Sequence, residues 1–349
     1  MTVNERRPGA RPLPGGGTRF TVWAPHAQRI DLHLEAPDAV VALEAAGDGW
    51  FAGEADAGPG RRYTYALDGG ERLPDPASGW QPDGVQGSSA VVGDDHVWTD
   101  GDWRGLPLEE LVLYELHVGT FTPEGTFDAA ITRLPALAEM GVTAIELMPV
   151  AEFPGSRNWG YDGVFPYAAQ STYGGPQGLK RLVDAAHREG IAVCLDVVYN
   201  HLGPEGNVVQ RYGPYFSIRY RTPWGEAVNV DGPGSDAVRG YFVGNALRWL
   251  EEFHIDALRL DAVQEIIDTS AVHFLAELAD AVADLRDRIG HPLHLIAESD
   301  LNDPRTVTAR AAGGLGMDAQ WNDDFHHSLH RLLTGEGGGY YADFGDPGT

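Results

Sequence analysis

The sequence predicts an α/β protein: a (β/α)8-type TIM barrel, incomplete with about six strands present, preceded by an immunoglobulin-like β-sandwich. Three observations carry this. Residues 16–99 hold short strands of alternating polarity between Gly, Pro and Asp turns. From about residue 100, near-continuous apolar strands alternate with helical segments. Polar residues then gather at the C-terminal ends of those strands, where a parallel barrel keeps its active site.

Taken in order, residues 1–15 read as a flexible N-terminus. The sandwich, residues 16–99, takes its strands from "TRFTVWAP", "RIDLHLE", "GWFAGEAD" and "RRYTYALDG" and ends in a long loop. Residues 100–349 read as the partial barrel, with strands at 111–118, 143–150, 191–198, 255–261, 293–299 and 316–322. Helices are predicted at Asp128–Met140, Gly178–Glu189, Ser235–Phe253 and Ser270–Arg288. Six such units favour a barrel over a doubly wound sheet, although periodicity alone does not separate the two. The polar connection 200–234, rich in Gly, Pro, Tyr and Trp, is too long for a routine loop and predicts a lid or small subdomain.

Composition narrows the function. With 51 acidic and 25 basic residues the net charge is −26, which repels phosphate backbones and disfavours nucleic acid as a partner. A neutral ligand such as a sugar is unaffected. The single cysteine, Cys194, lies in the apolar run "IAVCLDVV" and reads as a buried structural thiol. The N-terminus lacks the apolar core of a signal peptide and no apolar run reaches membrane-spanning length, so a soluble cytoplasmic protein without membrane contact is expected. No cofactor is implied, and oligomeric state is not legible.

The strand ends carry the chemistry. Strand three ends "DVVYNH", placing Asp196, Asn200 and His201 at the rim. Strand four ends "LRLDAV"; Arg259 and Asp261, two apart, leave the same face, and the arginine holds the aspartate ionised, as a nucleophile requires. Strand five contributes Glu298 in "IAESD". Two carboxylates facing a common point suit glycoside hydrolysis, retention requiring a separation of about 5–5.5 Å. A structural ion pair involving Arg259 is the plainer alternative.

"DVVYNH", "DALRLDAV" and the glutamate of "IAESD", in this order and spacing, resemble the first three signatures of the α-amylase clan of glycoside hydrolases. The sandwich resembles the starch-binding-like domain preceding the barrel in branching and debranching members. The resemblance implies a retaining double displacement on an α-glucan, with Asp261 as nucleophile and Glu298 as general acid/base. It further implies that Arg259 fixes the ionisation of Asp261, that Asp196 and His201 bind the sugar, and that Tyr161 of "NWGYDG" stacks beneath it. Gln264, just past Asp261, is assigned to substrate binding on the same ground. Without the resemblance, core packing is the better reading of Tyr161.

"ELHVGTFTPEGTFDAA", "NWGYDGVFPYA", "AESDLNDPR" and "WNDDFHHSLH" narrow the resemblance to maltooligosyltrehalose trehalohydrolases, implying hydrolysis of the α-1,4 bond next to the trehalose end of maltooligosyl trehalose. A glucan branching transferase and a non-catalytic glucan-binding protein are the alternatives. The clan's third carboxylate, in an "HD" pair after strand seven, is missing: no His-Asp pair follows Glu298. Six strands cannot close an eight-stranded barrel, so a piece of a longer product, inactive by itself, is expected. The stretch Asp323, Asp324, Phe325, His326, His327 matches no tight zinc template. It reads as lining the aglycone subsites, or, for the two aspartates, as capping a helix that begins near Phe325.

Overall fold

The computed structural model describes residues 7–93 and 95–344. The N-terminal strands are β1 (Gly9–Pro12), β2 (Thr18–Trp23), β3 (Ile30–Leu34), β4 (Ala39–Ala42), β5 (Glu44–Gly47), β6 (Trp50–Ala55), β7 (Arg62–Leu67), β8 (Arg72–Leu73) and β9 (Ser89–Ala90). They form two antiparallel sheets, β1-β2-β6-β5 and β4-β3-β7-β8, with β9 on β7. Alternation sends Phe20 of β2 and Tyr63 of β7 inward, where their rings meet edge-on at 4.9 Å between centroids, joining the two layers. One correction falls here. Gly9–Pro12, expected to be flexible, is a strand paired in register with Thr18–Thr21, because the turn at Gly16 and Gly17, both at positive φ, folds it back. Residues 1–6 lie outside the described residues.

The second half runs β10 (Leu113–Leu116), α1 (Val118–Phe121), α2 (Phe127–Ile131), α3 (Leu134–Glu139), β11 (Ala144–Leu147), β12 (Ala151–Glu152), β13 (Phe165–Ala169), α4 (Gly175–Arg188) and β14 (Ala192–Val197). It continues with α5 (Val209–Tyr212), β15 (Phe216–Thr222), β16 (Gly225–Val228), α6 (Ser235–Glu252), β17 (Ala257–Leu260), α7 (Phe274–Ile289), β18 (His294–Ser299), β19 (Ala319–Asn322) and α8 (Asp323–Thr334). Six of these strands make one parallel sheet, ordered β10-β11-β14-β17-β18-β19, a curled half-barrel with β10 and β19 at its edges. The helix expected over 128–140 is instead two, α2 and α3. Pro135 has no N–H to bond back to Ile131, so the chain restarts with the proline in the first turn of α3. The 200–234 connection holds the β15–β16 hairpin.

Strand periodicity sorts the side chains. Ile145, Leu147, Val193, Leu195, Leu258 and Leu260 face outward into the core under α4, α6 and α7. Cys194, buried as expected, packs on the inner face with Ala257 and Ile296. No helix among the described residues is long and apolar enough to cross a membrane.

A histidine latch ties the sandwich-to-barrel connection to the sheet. His187, at the end of α4, lies between Asp100 and Asp256 at 2.9 Å from each, stacked on Trp103 at 4.6 Å. Burial alone would lower this imidazole, but the two carboxylates outweigh it and lift its pKa to about 9. For Asp100, burial is outweighed by His187 and His254, lowering it to about 2. A raised histidine stabilises fully below its unfolded pKa of 6.5, an effect lost as pH rises through about 9; Asp100 contributes above 3.8 and loses its effect as pH falls toward 2. His187→Gln should therefore lower Tm most near pH 6 and flatten its fall between pH 7 and 9, as scanning calorimetry would read. An unchanged alkaline slope would remove His187 as its source.

Candidate active site

The inner face of the half-barrel converges on one arginine. In the parallel pairing of β14 with β17, Asp196 stands opposite Arg259, so both side chains enter the barrel at one level. Arg259 Nη1 donates to both Asp196 oxygens at 2.9 and 2.8 Å and to Asp261 Oδ1 at 2.8 Å. Its Nη2 lies 3.5 Å from Glu298 Oε2 on β18. Burial would lower this guanidinium, but Asp196 and then Asp261 outweigh it, so its pKa lies above the ordinary value and it stays charged. Asn200 holds Asp261 from the other side, its Nδ2 donating to Oδ2 at 2.9 Å and to the Asp261 carbonyl at 2.8 Å.

Directly after Asp261 the backbone turns left-handed at Ala262, φ +41°, a strained conformation for a residue with a Cβ. That turn aims the Ala262 N–H at Glu298 Oε2, 2.7 Å away. Burial raises the Glu298 pKa from its ordinary value, opposed by Arg259. A shift in this direction suits proton donation to a leaving oxygen.

Asp196, expected to bind sugar directly, has no exposed side-chain surface. The Tyr161 hydroxyl donates to it at 2.9 Å and Arg259 covers the rest. Burial pushes its pKa up to about 7 against the pull of Arg259. Its carboxylate is therefore fully engaged by those two partners, and the expected sugar contact is not an open side chain here. Tyr161 keeps its ring at the site, tied by its hydroxyl to this cluster. The ring nitrogens of His201 face the Tyr161 carbonyl at 2.9 Å and the Asn200 side-chain oxygen. Gln264 lies in the short 3-10 turn after Asp261, and its buried Oε1 has no hydrogen-bond partner among the described residues.

The "NDDFHH" stretch divides. Asn322, not Asp323 or Asp324, caps α8: its side-chain oxygen accepts from the Phe325 N–H at 2.8 Å, because the helix begins one residue before the aspartates allow. Asp323 lies 3.2 Å from His326 and adds, after burial and Asp261, to the upward push on Glu298. Asp324 accepts from Asn302. Phe325 is exposed, and His327 packs against Tyr340 and Phe344.

Two residues escaped the sequence reading. Glu146 on β11 is buried within the inner face, its pKa raised by burial and then by Asp196 to about 8. A glutamate inside "TAIELMPV" was the available signal, since only an inward position tolerates it in an apolar strand. Trp224, half exposed at the hairpin turn, lays its ring over His201 with centroids 5.1 Å apart. Its signal was an aromatic residue within an otherwise polar connection.

The strand-end carboxylates stand around a buried arginine on a curled parallel sheet behind a sandwich, and residues 83–221 match the α-amylase catalytic-domain model. A Salmonella typhimurium crystal structure carrying an α-amylase designation superposes with a TM-score of 0.89 at 44% identity, covering 97% of this chain and 58% of that one. An Anoxybacillus pullulanase complexed with maltotriose shares the fold at a TM-score of 0.75 and 23% identity, over 93% of this chain and 53% of that one. Over nearly its whole length the sequence is similar to malto-oligosyltrehalose trehalohydrolases. It is 50% identical to that of Saccharolobus solfataricus over 96% of this chain, and 50% identical to that of Arthrobacter ramosus over 95%. A branching enzyme from Leifsonia xyli is 31% identical over 89% of the chain and 48% of its own length. The chain spans 59% and 58% of the two trehalohydrolases it matches.

Proposed function

We propose that this chain is part of a retaining glycoside hydrolase that cleaves the α-1,4 bond next to the trehalose end of maltooligosyl trehalose. The observation that carries the chemistry is the Arg259 guanidinium, which contacts Asp196, Asp261 and Glu298 together. Asp261, oriented by Arg259 and Asn200, attacks the anomeric carbon. Glu298 gives its proton to the leaving oxygen, and in the second half takes one from water. Tyr161 and His201 lie against the bound sugar, and Asp323 with Phe325 contacts the departing trehalose unit. The identities to trehalohydrolases support the substrate; the inward carboxylates support the reaction class.

The test uses the full-length protein. Maltotriosyl trehalose should yield free trehalose and maltotriose, and amylose should gain no α-1,6 branches; branching without trehalose release would replace this reading by a transferase. Because Glu298 must be protonated to act as the acid, kcat/KM should fall on the alkaline side as it ionises, later than a carboxyl of ordinary pKa would. An activity loss complete by pH 5 would exclude it as that acid. The 349-residue chain alone should release no measurable trehalose, because β10 and β19 are unclosed edges beside the site. Turnover by this chain at the full-length rate would contradict that.

A further inference from the structure

We infer that the crevice between the sandwich and the outer helices of the half-barrel is a second carbohydrate site, taking a neutral glucosyl oligosaccharide. The cavity measures about 1050 Å³, and no member of the Arg259 cluster lines it. One wall is the strand β1 with Trp23 and Trp50; the other is one face of α6, from Ala237 to Glu251. At that size it exceeds a monosaccharide and suits a chain of several sugar units.

The lining selects the ligand class. Arg11 and Arg248 share the walls with Glu251 and Glu252, interleaved with Trp50 and Leu247. An anion would meet the lining carboxylates, and a wholly apolar ligand would strip water from every charge in the walls, Arg7, Lys180, Asp48, Asp236 and Glu277 included, without replacing it. A neutral polyol satisfies both kinds of wall. Its hydroxyls donate to carboxylates and accept from guanidinium groups, while its C–H faces pack on the apolar side chains.

Two further features fit an occupant. The Arg11 side chain is half-buried and makes no side-chain hydrogen bond among the described residues, with Glu252 the first of the groups that attract it. Gly240, mid-helix on the lining face of α6, would send a Cβ into open space, with nothing within 4 Å. The helix is bare where a side chain would fill the crevice, although glycine there costs about 1 kcal/mol relative to alanine. The choice of a glucosyl chain rests on the α-glucan reading above; the crevice and its mixed lining do not.

The test is a calorimetric titration of the full-length protein carrying Asp261→Asn, slowed too far to consume the ligand during the titration, with maltoheptaose and separately with trehalose. Maltoheptaose should bind at two sites, and Gly240→Phe, which plugs the crevice from an open helix position, should reduce this to one. Arg11→Gln should weaken the second site about tenfold and serves as the independent variant should Gly240→Phe lower Tm. Gly240→Phe in the otherwise wild-type protein should leave trehalose release unchanged. Two-site binding that persists in both variants, single-site binding in the parent, or a second site that takes trehalose but not maltoheptaose would each overturn the inference. If the protein releases no trehalose while the crevice variants still remove one maltoheptaose, the proposed function fails and the second site stands.

Discussion

Asp261→Asn in the full-length protein should lower trehalose release by about 10⁴-fold with little change in Tm, because removing a covalent nucleophile removes the step that shares its barrier. Asparagine keeps the shape of Asp261 and its one side-chain oxygen still accepts from Arg259; Asn200 loses its side-chain acceptor but keeps the backbone carbonyl at 2.8 Å, while the attacking charge is gone. Glu298→Gln should be comparably damaging for an oligosaccharide. It should be far milder for a substrate with a good leaving group such as an α-glucosyl fluoride, since only the first needs proton donation. That contrast separates the two roles. Retention of more than a tenth of wild-type trehalose release by Asp261→Asn would make Asp261 a structural carboxylate and Arg259 a structural ion-pair partner.

Arg259→Leu should destabilise the protein by about 3–5 kcal/mol at pH 7, the usual cost of removing one partner from a buried ion pair. Asp196 has no exposed side-chain surface and receives two of its three donor contacts from this guanidinium. Without it, burial and the neighbouring Asp261 press Asp196 toward the neutral form. The loss should therefore shrink as pH is lowered and Asp196 takes up a proton, which urea unfolding from pH 7 to pH 5 would follow. Arg259→Lys should lose less stability but nearly as much activity, because an ammonium cannot bridge Asp196, Asp261 and Glu298 with a planar fork. A loss below about 1 kcal/mol for Arg259→Leu would show that Asp196 finds its compensation elsewhere.

The two substitutions probe one device from opposite ends. A single cation serves three carboxylates, with buried Glu146 a fourth acid within the same inner face. One positive charge does not support four ionised carboxylates at low dielectric, so burial raises the pKa of Glu146, Asp196 and Glu298. Glu298 and Glu146 both carry pKa values raised by burial, which is the direction the proposed pairing of an acid with a nucleophile requires.

How far this was legible depends on the distance over which each feature is specified. Strand and helix alternation, the six-stranded parallel sheet and the inward pairing of Arg259 with Asp261 follow from periodicities of two and 3.6 residues, which a sequence carries locally. Pro135 splitting the first barrel helix was legible on the same terms, although the apolar pattern runs straight through it. The enclosure of Asp196 joins residues 35 and 63 positions apart, and Trp224 reaches His201 only because the hairpin folds over the rim. The cap of α8 fell to Asn322 rather than to either aspartate because pairing with β18 ends β19 at that residue, a matter of register rather than of side-chain preference. By itself, then, the sequence determined which residues face inward and at which strand ends they stand. The tertiary structure decided which carboxylates are sealed and which stay open, since burial and charge pairing are properties of the assembled sheet and not of any one strand.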